Sequence, residues 1–308
     1  MPNMDKLDVA IIRELTQSGM ILPSRPGFAP SYRQVSKKLG IPFGTIRNRI
    51  SGIYKSGVLK GSSIYPNPSL FNLKGRAFTF DVPRSLNKEE VFGKLKLMED
   101  VFSGHNLVGG KAWIVFLYKD EQDLERKLLL FKESIGGVGI DSSLPFPPCP
   151  SSLSQSEGQL ILELSRNGLA SYAQLGRKLK TSQRSLKRRI AKVVRENMIL
   201  SVPEIDYSAI SGSVPADLLI FFDNNGKARA MAEPKALDVV KDYIIFAALF
   251  DTVGMCSLVL PRVAQVSEIV ASIKQIDGIN EAHVDIVHEH ILQSKILEKY
   301  LVKKIVRT

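Results

Sequence analysis

The stretch that decides the fold runs from Ser31 to Gly61 and reads SYRQVSKKLGIPFGTIRNRISGIYKSGVLKG. Val35 and Leu39 are spaced as on one face of a short helix. The GIPFG that follows breaks that helix, because glycine and proline interrupt helical structure. A further helix comes next, and its apolar positions have the spacing i, i+4, i+7 and i+8: Ile46, Ile50, Ile53 and Tyr54. The pattern predicts two short amphipathic helices joined by a turn.

The same pattern occurs a second time in the chain. Residues 171–200 read SYAQLGRKLKTSQRSLKRRIAKVVRENMIL and match the first stretch at an offset of 140 residues. The apolar stripe recurs at that offset as Leu186, Ile190, Val193 and Val194. Upstream, IRELTQSG at 12–19 resembles ILELSRNG at 161–168, where the offset is 149. The first copy therefore has nine extra residues, which fall in a Pro- and Gly-rich loop within residues 20–30. We infer an internal duplication in which each copy begins with three helices.

Each copy continues with strands and helices in the order βαββαβ. In the first copy we place strands at 77–82, 101–107, 112–118 and 138–141, and helices at 87–98 and 121–134. In the second copy the strands are at 218–223, 243–250, 255–260 and 281–287, and the helices at 234–241 and 263–276. This order is typical of a ferredoxin-like sandwich. The fold class predicted is α+β, with two winged helix-turn-helix domains alternating with two such sandwiches.

The domain boundaries follow from these patterns. Residues 142–154 contain four prolines and five serines and are interpreted as a linker. The tail at about 290–305 looks helical, and the sequence assigns it no role. We place a first winged helix-turn-helix at 1–74, a sandwich at 75–141, a second winged helix-turn-helix at 155–212 and a second sandwich, with a C-terminal helix, at 213–308.

The positive charge is concentrated in the two helical stretches. The net charge of the chain is +11. Residues 31–61 carry +7 and residues 171–200 carry +8, so the rest of the chain carries −4. Basic clusters on small elements are typical of polyanion binding. Double-stranded DNA is therefore the partner that we expect.

With the apolar stripes buried, the opposite helix surfaces hold the candidate DNA contacts. Arg, Asn and Gln side chains can read base edges, whereas flanking cations suit phosphates. A strand after each helix, beginning at Val58 or Ile199, would form the wing. The candidates in the first copy are Arg33, Thr45, Arg47, Asn48, Arg49, Ser51 and Lys60. Those in the second copy are Gln183, Arg184, Lys187, Arg188, Arg189 and Lys192.

These motifs resemble the Lrp/AsnC family of leucine-responsive regulators. In the first copy the resemblance rests on LDVAIIRELTQ, on the quoted 31–61 stretch with its TIRNRI and KSGVL, and on IYPNPSLFNL. The second copy matches more loosely. The resemblance implies a dimerising βαββαβ sandwich that often binds a small effector, commonly an amino acid. The candidate effector positions, where the family has a glycine-bearing turn, are Val108, Gly109, Val253 and Gly254.

One departure from the family shapes the hypothesis. The chain has two modules where the family usually has one. We expect the sandwiches to pair as an intrachain pseudo-dimer or to form homo-oligomers. Two unlike recognition helices would then read an asymmetric site with half-sites about one helical turn apart.

Two other functions remain as alternatives. An enzyme resembling siroheme decarboxylases would need histidines or arginines in a sandwich pocket, and His105 stands alone in the sequence. His283, His288 and His290 cluster near the C-terminus, and the last two would share a face of a strand, but no second ligand pair indicates a metal site. The other alternative is a protein whose basic helices bind an acidic partner. We predict no enzyme activity.

The remaining features exclude further classes. No run of about 18 apolar residues predicts a membrane span. The two cysteines, Cys149 and Cys256, are expected to be reduced in a cytoplasmic protein. The glycine-rich segments VGGK (108–111) and GGVG (136–139) lack the spacing or context of nucleotide-binding motifs, so we expect no cofactor.

Overall fold

The computed structural model describes residues 4–15, 31–82, 87–98, 100–108, 110–135, 141–144, 146, 148–150, 152–168, 170–223, 225–249, 252–293 and 295–307. The predicted loop at 20–30 lies outside these residues. The described helices are α1 Lys6–Leu15, α2 Tyr32–Leu39, α3 Phe43–Lys55, α4 Lys88–Leu97, α5 Glu121–Ile135, α6 Gln155–Arg166, α7 Tyr172–Lys178, α8 Gln183–Arg195, α9 Gly226–Val240, α10 Ala264–Lys274 and α11 Lys295–Arg307. The described strands are β1 Leu59–Pro66, β2 Lys74–Asp81, β3 Val101–Leu107, β4 Lys111–Tyr118, β5 Asp141–Leu144, β6 Ile199–Ile205, β7 Val214–Phe222, β8 Ile244–Leu249, β9 Val253–Leu260 and β10 Ile279–Leu292. The α+β fold class is confirmed.

Helices α1, α2 and α3 form the first tri-helical unit. Ser31 and Gln34 form a capping box at the start of α2, which satisfies backbone groups that the helix leaves unpaired. Gly40, with φ of 67°, ends α2 in the left-handed conformation that glycine tolerates. On α3 the predicted stripe is buried at Ile46, Ile50 and Ile53. The prediction that Tyr54 is buried with this stripe is wrong, because Tyr54 lies at the edge of the stripe and is exposed.

Helices α6, α7 and α8 form the second tri-helical unit, which repeats the local devices of the first. Ser171 and Gln174 form the capping box of α7, at the offset of 140 from Ser31 and Gln34. The stripe on α8 is buried at all four predicted positions: Leu186, Ile190, Val193 and Val194. An ion pair is also repeated. Lys38 contacts Glu14 at 2.6 Å, and the matching Lys178 contacts Glu163 at 2.5 Å. The duplication therefore extends to side-chain contacts.

The ten described strands form two sheets. The larger sheet has the order β5-β2-β4-β3-β10-β7-β9-β8. Its first four strands, with α4 and α5, form the first sheet unit, and the last four, with α9 and α10, form the second sheet unit. Numbered within each unit, both have the strand order 4-1-3-2, as the βαββαβ pattern predicts. Each unit has its own core between sheet and helices.

Strand β10 joins the two sheet units. Its first part, Ile279 to Ile286, pairs with β7, and its second part, Val287 to Leu292, pairs with β3. Residues on the sheet faces that point away from the unit helices, among them Trp113, Val115 and Met255, contribute to a shared central core. The two units are thus one continuous structure.

The strands predicted as wings pair with each other. Strand β1 runs antiparallel to β6, from Leu59 opposite Ile205 to Pro66 opposite Ile199, and we call this pair the ribbon. The sequence predicts a wing strand after each helix, and in the structure these two strands pair, so the backbone groups of each are satisfied by the other copy. The ribbon ties the two tri-helical units together.

Several predicted boundaries differ from the structure. Helix α9 begins at Gly226 rather than 234, because Asn225 caps it by accepting from the backbone of Lys227 and Ala228, and Pro234 lies inside it. The start of the predicted linker belongs to β5, which pairs with β2. Strand β10 extends to Leu292, so the C-terminal helix begins at Lys295 rather than near 290. No helix among the described residues has the length and apolar character needed to cross a bilayer.

Candidate functional site

Helix α3 presents a polar surface opposite its buried stripe. Thr45, Arg47, Asn48 and Ser51 are exposed, as the helical spacing requires. Arg47 makes no ion pair with the residues that the structure describes. Arg33 on α2 is also exposed, and its guanidinium lies 5.8 Å from the ring centre of Phe43 at the start of α3. The surface can meet both base edges and phosphates.

Arg49 has a different environment from its neighbours. Its guanidinium contacts Asp5 at 2.8 Å and Asp8 at 3.1 Å, which ties α3 to α1. Asp8 is 7% exposed, and burial raises the pKa of its carboxyl while Arg49 opposes that shift. Arg49, a predicted DNA contact, therefore also faces two carboxylates from its position on the flank of α3.

Helix α8 presents the more basic of the two surfaces. Gln183, Arg184, Lys187 and Arg188 are exposed, and Arg189 is half-buried. The ammonium of Lys187 lies 5.5 Å from the ring centre of Tyr172 on α7. Four cations of α8 make no ion pair with described residues: Arg184, Lys187, Arg188 and Arg189. On α3 only Arg47 and Lys55 make no ion pair with described residues. The electrostatic attraction for DNA is therefore stronger at the second unit.

Two further residues predicted to contact DNA form ion pairs within the chain. Lys192 contacts Glu157 at 2.6 Å, and that hydrogen bond raises the pKa of Lys192. Glu157 matches Asp8 at the offset of 149, so this pair replaces the tie that Arg49 makes in the first unit. Lys60 contacts Asp206 at 2.8 Å across the ribbon, and the contact holds the pKa of Asp206 below its usual value. Both lysines are thus ion-paired within the chain, and their DNA contacts stay predictions.

The three expected effector positions that the structure describes lie in different elements. Val108 is exposed after β3, and Gly109 lies outside the described residues. Val253 and Gly254 are buried in β9, where they pair with Phe221 and Ile220, so the expected turn is a strand at that point.

A cavity that the sequence interpretation missed lies between the ribbon and the two sheet units. Its volume is about 60 Å³, and we call it the histidine cavity. Its polar lining comes from both units: Ser103, His105, Trp113, Tyr207, Ser257 and His290. Its apolar lining is Tyr65, Phe102, Val115, Leu144, Val202, Phe246, Met255 and Leu292.

Asp217 organises the polar side of this cavity. The carboxylate of Asp217 is fully buried on β7 and accepts from Trp113 Nε1 at 3.0 Å and from Ser257 Oγ at 2.9 Å. It also contacts His105 Nδ1. Three donors therefore satisfy one buried carboxylate, as a charge in a low-dielectric interior requires. His105 and Trp113 belong to the first unit and Asp217 to the second, so the network spans the junction.

The histidines differ from their expected arrangement. His105 does not stand alone, because its ring lies 4.7 Å, centre to centre, from that of His290. His288 and His290 lie on opposite faces of β10, because a bulge between Val287 and Glu289 interrupts the alternation. His288 is exposed, whereas burial, with His105 beside it, lowers the pKa of His290 well below 6.5. The sequence feature that could have indicated this cluster is the charged Asp217 within the apolar strand VPADLLIFF.

Comparisons with known proteins relate this chain to regulators. No protein-family model matches it. It is 25% identical over 126 residues to the HTH-type transcriptional regulator Ptr1 of Methanocaldococcus jannaschii, covering 41% of this chain and 79% of that protein. It is 29% identical over 142 residues to an uncharacterised HTH-type transcriptional regulator of Pyrococcus horikoshii, covering 44% of this chain and 87% of that protein. The matched lengths are close to one copy of the repeat, and these relatives are consistent with the Lrp/AsnC resemblance.

A solved structure resembles the chain over both copies. The siroheme decarboxylase NirDL superposes with a TM-score of 0.52 at 11% identity, covering 97% of this chain and 99% of that one. At that identity the likeness concerns the fold. The superposition extends over both copies of the repeat.

Proposed function

We propose that the chain is a sequence-specific DNA-binding transcriptional regulator that acts in the cytoplasm. The observation that carries the proposal is the duplicated pair α3 and α8. Each helix buries its apolar stripe and leaves a polar, cationic surface exposed. Helix-turn-helix proteins place such a surface in the major groove. The HTH-type regulators to which the chain is similar support the same function.

Within this proposal the exposed residues have different tasks. Arg47 and Asn48 on α3, and Gln183 and Arg188 on α8, have the side chains suited to base edges. Thr45, Ser51, Arg33, Arg184, Lys187 and Arg189 would contribute hydrogen bonds or phosphate contacts around them. Arg49, Lys192 and Lys60 act indirectly, since their ion pairs orient the helices and the ribbon.

The pseudo-dimer belongs to the same proposal. The ribbon connects the two tri-helical units, and β10 connects the two sheet units, so one chain holds both recognition helices. The two winged helix-turn-helix domains, the two sandwiches and the linker expected from the sequence would then work as one DNA-binding unit with two recognition helices. Because α3 and α8 carry different side chains, the half-sites should differ in sequence. Homo-oligomers of this unit would extend the site.

The proposal is tested by selection of the full chain against random duplex DNA at low and moderate salt. We expect an enriched site with two unlike half-sites about one helical turn apart. A library that remains unenriched, although the protein is folded and monodisperse, would show that the chain does not read DNA sequence.

A small-molecule effector would complete the regulator. The resemblance implies an amino acid, but the described positions expected to hold it, Val108, Val253 and Gly254, lie in different elements. An effector that acts on DNA binding would therefore need another site, and its effect is measured as a change in affinity for the selected duplex.

A siroheme-decarboxylase-like enzyme is the alternative that the buried His105 and His290 favour. Ligands larger than a small ring need pockets of roughly 300–1,000 Å³. The histidine cavity, at about 60 Å³, would have to open widely before a tetrapyrrole entered. We expect the absorbance spectrum of a tetrapyrrole to be the same with and without the protein. A saturable spectral shift that is lost in His290→Phe would favour the enzyme instead.

A further inference from the structure

A cleft beside α3 is formed by residues of both copies. It lies between α1, α3 and residues 209–211, which follow the ribbon, and we call it the α3 cleft. Ser213 Oγ donates to the carbonyl of Met4 at 3.1 Å, which holds the chain after residues 209–211 against the start of α1. The volume of the cleft, about 520 Å³, lies in the range of roughly 300–1,000 Å³ that is typical of small-molecule pockets. The cleft is therefore large enough for a ligand of several carbon atoms.

The space in this cleft depends on a glycine that replaces a lysine of the other copy. Gly52 matches Lys192 at the offset of 140, and Asp8 matches Glu157 at the offset of 149. In the second unit the ammonium of Lys192 reaches Glu157 on α6 at 2.6 Å. In the first unit Gly52 and Asp8 both line the cleft, and a Cβ added at Gly52 would meet no atom of the neighbouring described elements within 4 Å. The first unit thus keeps the carboxylate and lacks the alkylammonium chain that binds it in the second.

The charges beside the cleft are not balanced. Among the described residues, Asp5 and Asp8 share one cation, the guanidinium of Arg49, at 2.8 Å and 3.1 Å. In the second unit Glu157 has Lys192 to itself. Burial raises the pKa of Asp8 in spite of Arg49, as it does for a carboxylate whose lost hydration is not fully replaced. One further positive charge in the cleft would balance the two carboxylates.

The lining defines the rest of the ligand. Ile53, Val58 and Met4 provide apolar surface for an alkyl chain, and Asp8 lies in the same cleft. An anionic ligand would meet two carboxylates there, whereas an ammonium forms a charge-assisted hydrogen bond with a carboxylate. We propose that the α3 cleft binds an aliphatic primary amine in its ammonium form, with the alkyl chain along Gly52 and the ammonium on Asp8, as Lys192 is placed on Glu157.

Such a ligand would lie next to the DNA-reading surface. Thr45 and Asn48 line the cleft, and both are predicted DNA contacts. A bound amine would therefore change the affinity of α3 for its half-site, a consequence that rests on the proposed regulator function. Binding of the amine itself does not rest on that function.

The test is a calorimetric titration of the full chain, without DNA, with hexylamine, hexan-1-ol and hexanoate. The three ligands have the same alkyl chain, so only the head group differs. We expect saturable one-to-one binding of hexylamine, binding of hexan-1-ol at least about fivefold weaker because a charge-assisted hydrogen bond is lost, and no binding of hexanoate. Absence of saturable hexylamine binding, or equal affinity for hexylamine and hexan-1-ol, would overturn the proposal.

Two matched variants localise the site. Gly52→Lys gives the first unit the side chain that Lys192 provides in the second, and it should abolish hexylamine binding. It should also raise the urea midpoint, because lysine is more favourable than glycine inside a helix. Gly44→Lys is the control: it makes the same exchange on α3, where an added Cβ also meets open space, but Gly44 is not part of the cleft lining, so binding should equal that of the wild type.

Hexylamine binding that survives Gly52→Lys would overturn the assignment to this cleft. If that variant does not fold, the comparison of the three ligands on the wild type decides. Because the titration contains no DNA, a failure of amine binding is distinguishable from a failure of the regulator proposal, which the selection against random duplex DNA tests.

Discussion

Asp217 on β7 accepts a hydrogen bond from Trp113 Nε1 on β4 at 3.0 Å, although the two residues are 104 positions apart in the chain. This bond, with the contact of Asp217 to His105, crosses the junction between the two sheet units. The network therefore fixes which face of one unit meets which face of the other.

Replacing the buried carboxylate should destabilise the whole chain. Asp217→Asn removes the charge while keeping the shape, and leaves His105 and Trp113 with a weaker acceptor. We expect a loss of about 2–4 kcal/mol in the free energy of unfolding, measured by urea denaturation. Asp238→Asn is the control, because its ion pair with Lys241 is exposed and should contribute less than about 1 kcal/mol. Equal effects of the two changes would contradict the structural role of the network.

The lowered pKa of His290 predicts a pH dependence. Above 6.5 the ring is neutral in both the folded and the unfolded chain. As the pH falls below 6.5, the unfolded chain binds a proton that the folded chain resists, so stability is lost. The urea midpoint should fall between about pH 7.5 and about pH 5.5, and His290→Gln should reduce that fall. The same slope in wild type and variant would show that His290 titrates normally in the folded chain.

The two tri-helical units offer a matched pair of arginines. Arg49 and Arg189 occupy equivalent positions, but only the first, among described residues, is ion-paired, with Asp5 and Asp8. Arg49→Ala leaves the buried Asp8 without its cation and should cost about 1–3 kcal/mol in stability. Arg189→Ala should cost little stability and should instead weaken DNA binding. The reverse pattern would contradict the assignment of Arg49 as a tie between helices.

The distribution of unpaired cations predicts an asymmetric salt dependence. Removing one cation that neutralises a phosphate lowers the slope of log affinity against log salt by about 1. Arg184→Ala/Lys187→Ala should therefore reduce the slope by up to about 2, and Arg33→Ala by about 1, in fluorescence anisotropy titrations with one duplex. Lys274→Ala, on the exposed end of α10, should leave the slope unchanged. A slope insensitive to all these changes would mean that none of these side chains meets a phosphate.

Local patterns predicted local structure well. The stripes on α3 and α8 follow from a period of 3.6 residues, and the βαββαβ order in each copy gives the 4-1-3-2 strand order. The capping boxes were not predicted, although Ser31 and Gln34, like Ser171 and Gln174, have the spacing that such boxes require.

Long-range pairing could not be predicted from those patterns. Strands β1 and β6 were each predicted as a wing after the helix of their own copy, because the sequence of an edge strand does not indicate which strand it pairs with. The bulge at His288 could not be predicted either, because no sequence feature distinguishes the extra residue from its neighbours in the strand. The contact of His105 with Asp217 joins residues 112 positions apart, and only the polar Asp217 in an apolar strand hinted at it.

The central claim is that α3 and α8 read different halves of one DNA site. Selection against random duplex DNA should be repeated with Arg47→Ala/Asn48→Ala and with Lys187→Ala/Arg188→Ala. The first pair of changes should relax the sequence preference in one half of the wild-type site, and the second pair in the other half, with a cost of about 1–3 kcal/mol for each base that is no longer read. Relaxation of the same half by both variants, or a uniform loss of affinity for every sequence, would contradict it.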